Sequence, residues 1–212
     1  MSLLPDNLID RYRRFKFRHF VPNQDHYEQL ANFGQSPDIM IVSCCDSRVD
    51  PETIFSAMPG ELFVVRNVAN LVPPYETTGK YHGVSAALEF AALNLRVKHI
   101  VVVGHSGCGG IRACLDHEAA RQSEAQFITN WMSMLDSARD KVTADHIGQP
   151  APELRAALER EGIKTSLANL RTFPCVATLE SRGRMALHGT HFDIATGTLS
   201  VLNQATGTFM PM

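Results

Sequence analysis

The sequence predicts an α/β fold: a mainly parallel β-sheet flanked by helices, with an N-terminal helical arm and an antiparallel edge. Three observations lead there. Short runs rich in Val, Ile and Leu recur without polar alternation, as expected of strands covered on both faces. Between them, apolar residues recur at helical spacing. The two kinds of segment alternate, which is the order of a parallel sheet with crossover helices.

Taken in order, Leu8, Tyr12, Phe15 and either His19 or Phe20 mark an amphipathic helix in the arm. Residues 11–18 interleave cations with aromatics, a mixture also found in nucleic-acid and membrane-surface elements. No other part of the chain extends such a basic surface, so this helix is read as packing on the core or on a neighbouring subunit. Strands are predicted over residues 39–43, 62–66, 99–103 and 175–179. Tyr81, Val84, Leu88, Ala91 and Leu95 trace one helical face, and Phe127, Trp131, Leu135 and Ala138 another. Leu154 and Leu158, then Ile163, Leu167 and Leu170, read as two helical pieces interrupted at Gly162. The tail from Met185 to Val201 holds a turn at residues 193–198, which places antiparallel strands at the edge. No repeat, low-complexity tract or long linker divides the chain. Residues 1–212 are therefore expected to form a single domain, with residues 1–35 as helical arm and dimer-contact region.

Composition narrows the function. At 212 residues, with net charge −2 and 44% hydrophobic content, the chain is an ordinary soluble protein with a good-sized core. Nothing points to nucleic acid or membrane as partner, and no apolar run approaches the ~20 residues of a membrane span. Five cysteines are an odd number, and no N-terminal apolar region precedes a small-residue cleavage site. A secreted disulfide framework is disfavoured, and the cytoplasm is the expected location.

Chemistry concentrates at two predicted strand ends. Cys44 follows Ile39-Met40-Ile41-Val42 and opens Cys44-Cys45-Asp46-Ser47-Arg48, while His105 and Cys108 follow Ile100-Val101-Val102-Val103 in Gly104-His105-Ser106-Gly107-Cys108-Gly109-Gly110. Taken singly, Cys44 suits a core position and His105 a satisfied polar one. Together, two thiolates and an imidazole suit Zn²⁺, and three protein ligands leave a fourth position open, the pattern of a catalytic site. Sites in open α/β sheets form beyond the carboxyl ends of strands, which lets these distant residues converge. Cys108 is placed at a helix start, where a thiolate is favoured. The glycines around it allow a tight turn and backbone amides for a small anion. The segment lacks the Gly-Lys-Ser/Thr signature of a phosphate loop. Asp46 and Arg48 read as a structural ion pair in an arbitrary loop. Beside a metal ligand they read as a second layer, in which Arg48 holds Asp46 ionised and Asp46 accepts the proton of a metal-bound hydroxide.

These motifs resemble the β-class carbonic anhydrases, plant-type branch, over roughly residues 25–200. The long block Phe63-Val64-Val65-Arg66-Asn67-Val68-Ala69-Asn70-Leu71-Val72-Pro73-Pro74 adds to the likeness. The resemblance implies reversible hydration of CO₂ to bicarbonate and a proton, by zinc-hydroxide attack. It implies zinc ligands Cys44, His105 and Cys108 and the catalytic dyad Asp46 and Arg48. Gln35 and the Gly109 amide would bind substrate oxygen, with Phe63, Val68 and Phe90 as apolar pocket wall. It also implies a homodimer or larger homo-oligomer whose cleft crosses the subunit interface. Several positions depart from the pattern. Ile41 stands where members with allosteric bicarbonate binding carry Trp, and Asn94 where a plant relative has a proton-transfer histidine. Residues 187–193 lack a Trp often found there; His188 and His191 are assigned surface or edge-strand places, and Cys45 a packed free thiol. Related zinc hydrolases of COS or CS₂, and a non-catalytic zinc-held bicarbonate sensor, are the alternative functions.

Overall fold

A computed structural model describes residues 3–116 and 125–212, divided between one compact unit within residues 1–36 and a second within residues 37–212. The first is helical. α1 (Asp6–Phe15) runs into a π-helical turn, Lys16–Phe20, then a 3₁₀ turn, Val21–Asn23, and α2 (Gln24–Phe33). Pro22 lies in the 3₁₀ turn, where its missing amide tolerates the break in helical pitch. Phe15 meets Tyr27 edge-on with ring centroids 6.3 Å apart, and Phe20 lies 5.0 Å from the same ring, so the predicted apolar stripe is real. Leu8, Tyr12, Phe15, Phe17 and Phe33 nevertheless stay exposed.

The second unit carries a six-stranded sheet of β1 (Ile39–Cys44), β2 (Leu62–Asn67), β3 (His99–His105), β4 (Ala186–Phe192), β5 (Leu199–Asn203) and β6 (Thr208–Pro211). Its order is β2-β1-β3-β4-β5-β6. The first four strands are mutually parallel, and β5 and β6 add on antiparallel. Three strands therefore lie where the apolar runs place them, and the turn at residues 193–198 joins β4 to the antiparallel edge. The helices are α3 (Pro51–Ile54), α4 (Gly83–Glu89, prolonged as a π-helix through Phe90–Leu95), α5 (Gly109–Leu115), α6 (Gln126–Met132), α7 (Asp136–Asp145), α8 (Ala151–Leu170) and α9 (Pro174–Ser181). One apolar cluster gathers Met40, Val42, Leu88, Ile100, Val102, Ile163, Leu167 and Val176. A second gathers Cys44, Cys108, Ile111, Met132, Leu135 and Leu158.

Two expectations are corrected. Residues 175–179 are not a strand but the body of α9. Pro174 sits in its first turn, where the absent amide costs nothing, and Phe173 and Val176 are buried at helical spacing. The sheet position beside β3 is taken instead by β4, a strand interrupted by His188, Gly189 and His191. Nor does Gly162 break a helix: α8 runs unbroken through it.

These glycines make a paired prediction. A Cβ at Gly162 would meet Ile111 and Leu135 at an ordinary 3.6 Å, whereas at Gly189 it would lie 2.7 Å from Ile163 and 3.1 Å from Leu167. Gly162→Ala is expected to stabilise the fold by about 0.5–1 kcal/mol through lower backbone entropy. Gly189→Ala is expected to destabilise it by about 1–3 kcal/mol through overpacking. Urea unfolding midpoints that moved in the same direction would show that the two packings have been misjudged.

Candidate metal centre and its surroundings

β1 and β3 are neighbours in parallel register, with Ser43 opposite Val103, so both chains leave the sheet at one end. Cys44 and His105 are the last residues of those strands and are buried. Cys108 caps α5 from a turn made possible by Gly107 at φ +69°. Gly110 lets α5 approach the segment after β2 closely: a Cβ there would stand 2.7 Å from Val68 and 3.2 Å from the Ala69 Cβ. The result is that the Cys44 and Cys108 sulfurs lie 4.0 Å apart. One ligand atom from each of Cys44, His105 and Cys108 falls within 4.8 Å of the others, the one such cluster among the described residues.

The donor set fits zinc on its own terms. Zinc–sulfur bonds of about 2.3 Å give a tetrahedral edge of about 3.8 Å, close to the observed sulfur spacing. His105 Nδ1 lies 3.0 Å from the Ser106 carbonyl, which can only accept, so Nδ1 carries the proton and Nε2 keeps its lone pair. That Nε2 is buried and has no hydrogen-bond partner among the described residues. An orphaned ring nitrogen beside two sulfurs is what a metal would satisfy.

Electrostatics agree. The hydrogen bond from Cys108 outweighs burial and pulls the Cys44 thiol down to about 4, with His105 assisting. Cys108 is pushed up, first by its bond to the Cys44 sulfur and then by burial. The sequence places thiolate character at Cys108; in the metal-free pair it falls on Cys44, because one negative charge suppresses a second so close by. A metal entering here must displace the remaining proton, so loading weakens as pH falls. Burial opposes protonation of His105, but Cys44, the Ser106 carbonyl and Asp46 together raise its pKa above the ordinary histidine value.

Asp46 and Arg48 form the pair expected of them. Arg48 Nε donates to Asp46 Oδ1 at 2.9 Å and Nη2 to Oδ2 at 2.7 Å, a two-pronged fork, while the Arg48 amide adds a third bond to Oδ1 at 3.0 Å. These bonds hold the Asp46 carboxyl well below the usual carboxylate range despite burial. Arg48 Nη2 also reaches the Gly107 carbonyl at 3.1 Å, tying the two site loops together. The free side of Asp46 faces the centre, with Oδ2 4.0 Å from His105 Nε2.

The apolar positions scatter. Val68 starts the turn after β2, its carbonyl accepts from Trp131 Nε1 at 2.8 Å, and it lines a cavity of about 660 Å³ with Cys45, Asn67, Tyr81, Phe127 and Trp131. Tyr81, expected on the helical face with Val84 and Leu88, lies ahead of α4, whose N-cap is His82, and is 96% exposed; Phe127 does lie on α6 but is 93% exposed. Phe63 and Phe90 pack together with centroids 5.9 Å apart. Phe63 pairs with Met40, four residues before the Cys44–Asn67 pair, or about 13 Å along the strand. Within one chain, these rings are with each other and not beside Cys44. Gly109 opens α5 next to Cys108. Gln35 is exposed in the N-terminal unit, just after α2. Cys45 is an exposed thiol and not a packed one.

Two further groups serve the site without having drawn notice in the sequence. Arg66 donates to the carbonyls of Cys44 (2.9 Å), Asp46 (2.8 Å) and Val49 (3.1 Å) and pairs with Asp50 at 3.2 Å, so one guanidinium holds the whole loop after β1. Its place inside the long motif after Phe63 was the available signal. Glu159 and His191 form a buried pair behind Cys108, which corrects the surface or edge place assigned to His191. His188 lies against His99, with ring nitrogens 3.2 Å apart.

The comparisons with known proteins agree with this geometry. Residues 39–199 match the family model described as carbonic anhydrase. The chain is 36% identical over 208 residues to beta carbonic anhydrase 3 of Arabidopsis thaliana, covering 93% of this chain and 79% of that one. Its fold superposes on the β-carbonic anhydrase CcaA with a TM-score of 0.91 at 32% identity, covering 97% and 91% of the two chains. Against the tetrameric β-carbonic anhydrases of Sordaria macrospora the TM-score is 0.67 at 27% identity, covering 93% of each. With a matched family model over most of its length and a relative this similar, the chain belongs to the carbonic anhydrase family, in its β class.

Proposed function

We propose that this chain hydrates CO₂ reversibly to bicarbonate and a proton, with zinc held by Cys44, His105 and Cys108 and with Asp46 and Arg48 as the catalytic pair. The observation that carries the reading is the meeting of three buried donors within 4.8 Å beside a carboxylate fixed in place by a guanidinium fork. When bound, zinc supplies Lewis acidity that makes water nucleophilic near neutral pH and stabilises developing charge. The chain's own groups do the rest. Asp46, kept ionised by Arg48, can only accept a hydrogen bond, so it orients the attacking oxygen by its proton and leaves a lone pair towards CO₂. The Gly109 amide and Gln35 side chain are the donors for substrate oxygen, and Phe63, Val68 and Phe90 form the nonpolar wall.

That wall needs more than one chain. Phe63 and Phe90 stand away from the Cys44 end of their own sheet, and the exposed apolar residues of the N-terminal unit call for a cover. A homodimer or larger homo-oligomer is therefore part of the proposal, with residues 1–35 as its contact arm. All five cysteines are unpaired, which suits the reducing cytoplasm, and among the described residues no helix is long and apolar enough to cross a membrane. CO₂, and no nucleic acid or membrane, is the proposed partner.

Stopped-flow CO₂ hydration on protein of measured zinc content tests this, with COS and CS₂ run alongside. Hydration is expected to exceed turnover of either sulfur substrate; the reverse order would make the chain a sulfur-substrate hydrolase, and no turnover of any would make it a sensor. In the same assay Gln35→Ala should slow hydration several-fold at unchanged zinc, since a neutral donor contributes about 0.5–1.5 kcal/mol and each 1.4 kcal/mol is about tenfold in rate. Sedimentation should find no active monomer. A fully active monomer would end the shared-site idea and leave the zinc assignment standing.

A further inference from the structure

We propose that Glu159, braced by His191, is a positioning residue that sets Cys108 for the metal. The inference rests on the reading of Cys108 as a ligand. Glu159 lies in the middle of α8, on the face that also presents Leu158, Gly162 and Ile163 to the core, and is only 4% exposed. A carboxylate in that place is costly unless both oxygens are partnered. Here they are divided. Oε1 accepts the Cys108 amide proton at 3.1 Å, and Oε2 lies 3.2 Å from His191 Nε2 on β4.

The division is informative. A clip between α8 and the sheet would be complete with His191 alone. The second oxygen reaches into the turn between His105 and α5 and fixes the backbone of the residue whose sulfur stands 4.0 Å from Cys44. From the other side, Arg48 Nη2 holds the carbonyl of Gly107 in the same turn. The Gly107–Cys108 peptide segment is thus gripped at one carbonyl and one amide by two charged groups, one exposed and one buried.

The rest of the same helix face behaves alike. Ser166, two turns on, donates to the Asn70 carbonyl at 3.1 Å and accepts from the Val72 amide, and Asn169 donates to the Val72 carbonyl at 2.8 Å. The polar residues α8 buries are therefore directed at segments that follow β2 and β3. Outer partners of this kind typically govern metal affinity by about 10–100-fold.

The test measures zinc release from folded holoenzyme to a chromogenic chelator, with thermal unfolding and the visible spectrum of cobalt-substituted protein recorded for each variant. Glu159→Leu removes the acceptor and should release zinc at least about tenfold faster, with a changed cobalt spectrum. Glu159→Gln keeps an acceptor oxygen and should return release to within a few-fold of wild type. Glu159→Asp, one methylene shorter and still charged, should behave like Glu159→Leu, and it stands in if the leucine variant does not fold. A merely structural role would lower the unfolding temperature yet leave release and spectrum unchanged, and that result overturns the proposal, as does failure of Glu159→Gln to rescue. Cys108→Ser, run in parallel, separates the two ideas: full zinc retention there would sink the ligand assignment itself, whereas zinc loss there with wild-type release from the Glu159 variants sinks only the positioning role.

Discussion

Cys108→Ser is expected to emerge folded, nearly free of zinc, and more than about a hundredfold slower in CO₂ hydration. The magnitude follows from rank: groups that only orient a ligand cost about 10–100-fold when removed, so a ligand itself must cost more. Serine fits the space of the thiol, but its hydroxyl ionises far less readily and is a poor partner for a borderline-soft metal. In the metal-free pair the hydrogen bond from Cys108 favours the thiolate of Cys44, and loading requires Cys108 to give up its proton as well. The variant cannot complete that step. Elemental zinc analysis gives the first check. Unfolding with and without added zinc gives a second, because a metal bound only by the native state raises the transition temperature by mass action. Zinc should stabilise the wild type and leave the variant unmoved. An active, zinc-replete Cys108→Ser enzyme would remove the centre from consideration.

Much of this centre is legible in the amino-acid sequence, because its parts are local. Cys44, Asp46 and Arg48 lie within five residues, His105 and Cys108 within four, and each group follows an apolar run that does form a strand. The convergence of the two groups needs only that β1 and β3 be parallel neighbours. The arm helix and the antiparallel edge are legible for the same reason, since periodicity and turn chemistry are short-range signals.

What the sequence hides is long-range or ambiguous by nature. The apolar run at residues 175–179 is as compatible with a helix as with a strand, and Pro174 with the burial of Val176 decides for the helix. Gly162 carries a helix-breaking propensity of only about 1 kcal/mol, which the buried apolar face of α8 on either side of it outweighs. Tyr81 keeps the helical spacing but precedes the start of α4, and Phe127 lies on its helix yet is exposed in the single chain, since periodicity fixes neither where a helix begins nor what covers its face. Glu159 stands 51 positions from Cys108 in sequence, and a glutamate within a helix looks like a solvated charge until its partners are seen. Arg66 belongs to a recognisable motif, but its grip on three carbonyls depends on how the loop after β1 folds back over β2.

Asp46→Asn separates holding the metal from using it. The substitution keeps size and shape, so Cys44, His105 and Cys108 should still retain most of the zinc. What changes is the direction of hydrogen bonding. The wild-type carboxylate accepts three bonds from Arg48 and still presents Oδ2 on the side of His105. An asparagine has one acceptor where the carboxylate had two. Either its amide group confronts the Arg48 donors, or it turns towards the centre and offers a donor where an acceptor is needed. The first arrangement breaks the fork that fixes the side chain, and the second removes the acceptor, so either way the proton of the attacking oxygen is no longer held in place. Loss of one such preorganised electrostatic partner typically costs about 10²–10³ in turnover, and that range is expected here at near-normal zinc content. Arg48→Ala should follow the same course less severely. It frees the carboxylate to rotate and removes the tie to Gly107, but leaves an acceptor in place. Arg48→Lys should recover little of the loss, because a single ammonium cannot supply the planar fork. Stopped-flow rates beside zinc content give the comparison. Wild-type turnover in Asp46→Asn would reduce the pair to a loop fastener, while loss of zinc in step with activity would make Asp46 a support for the metal and not for the reaction.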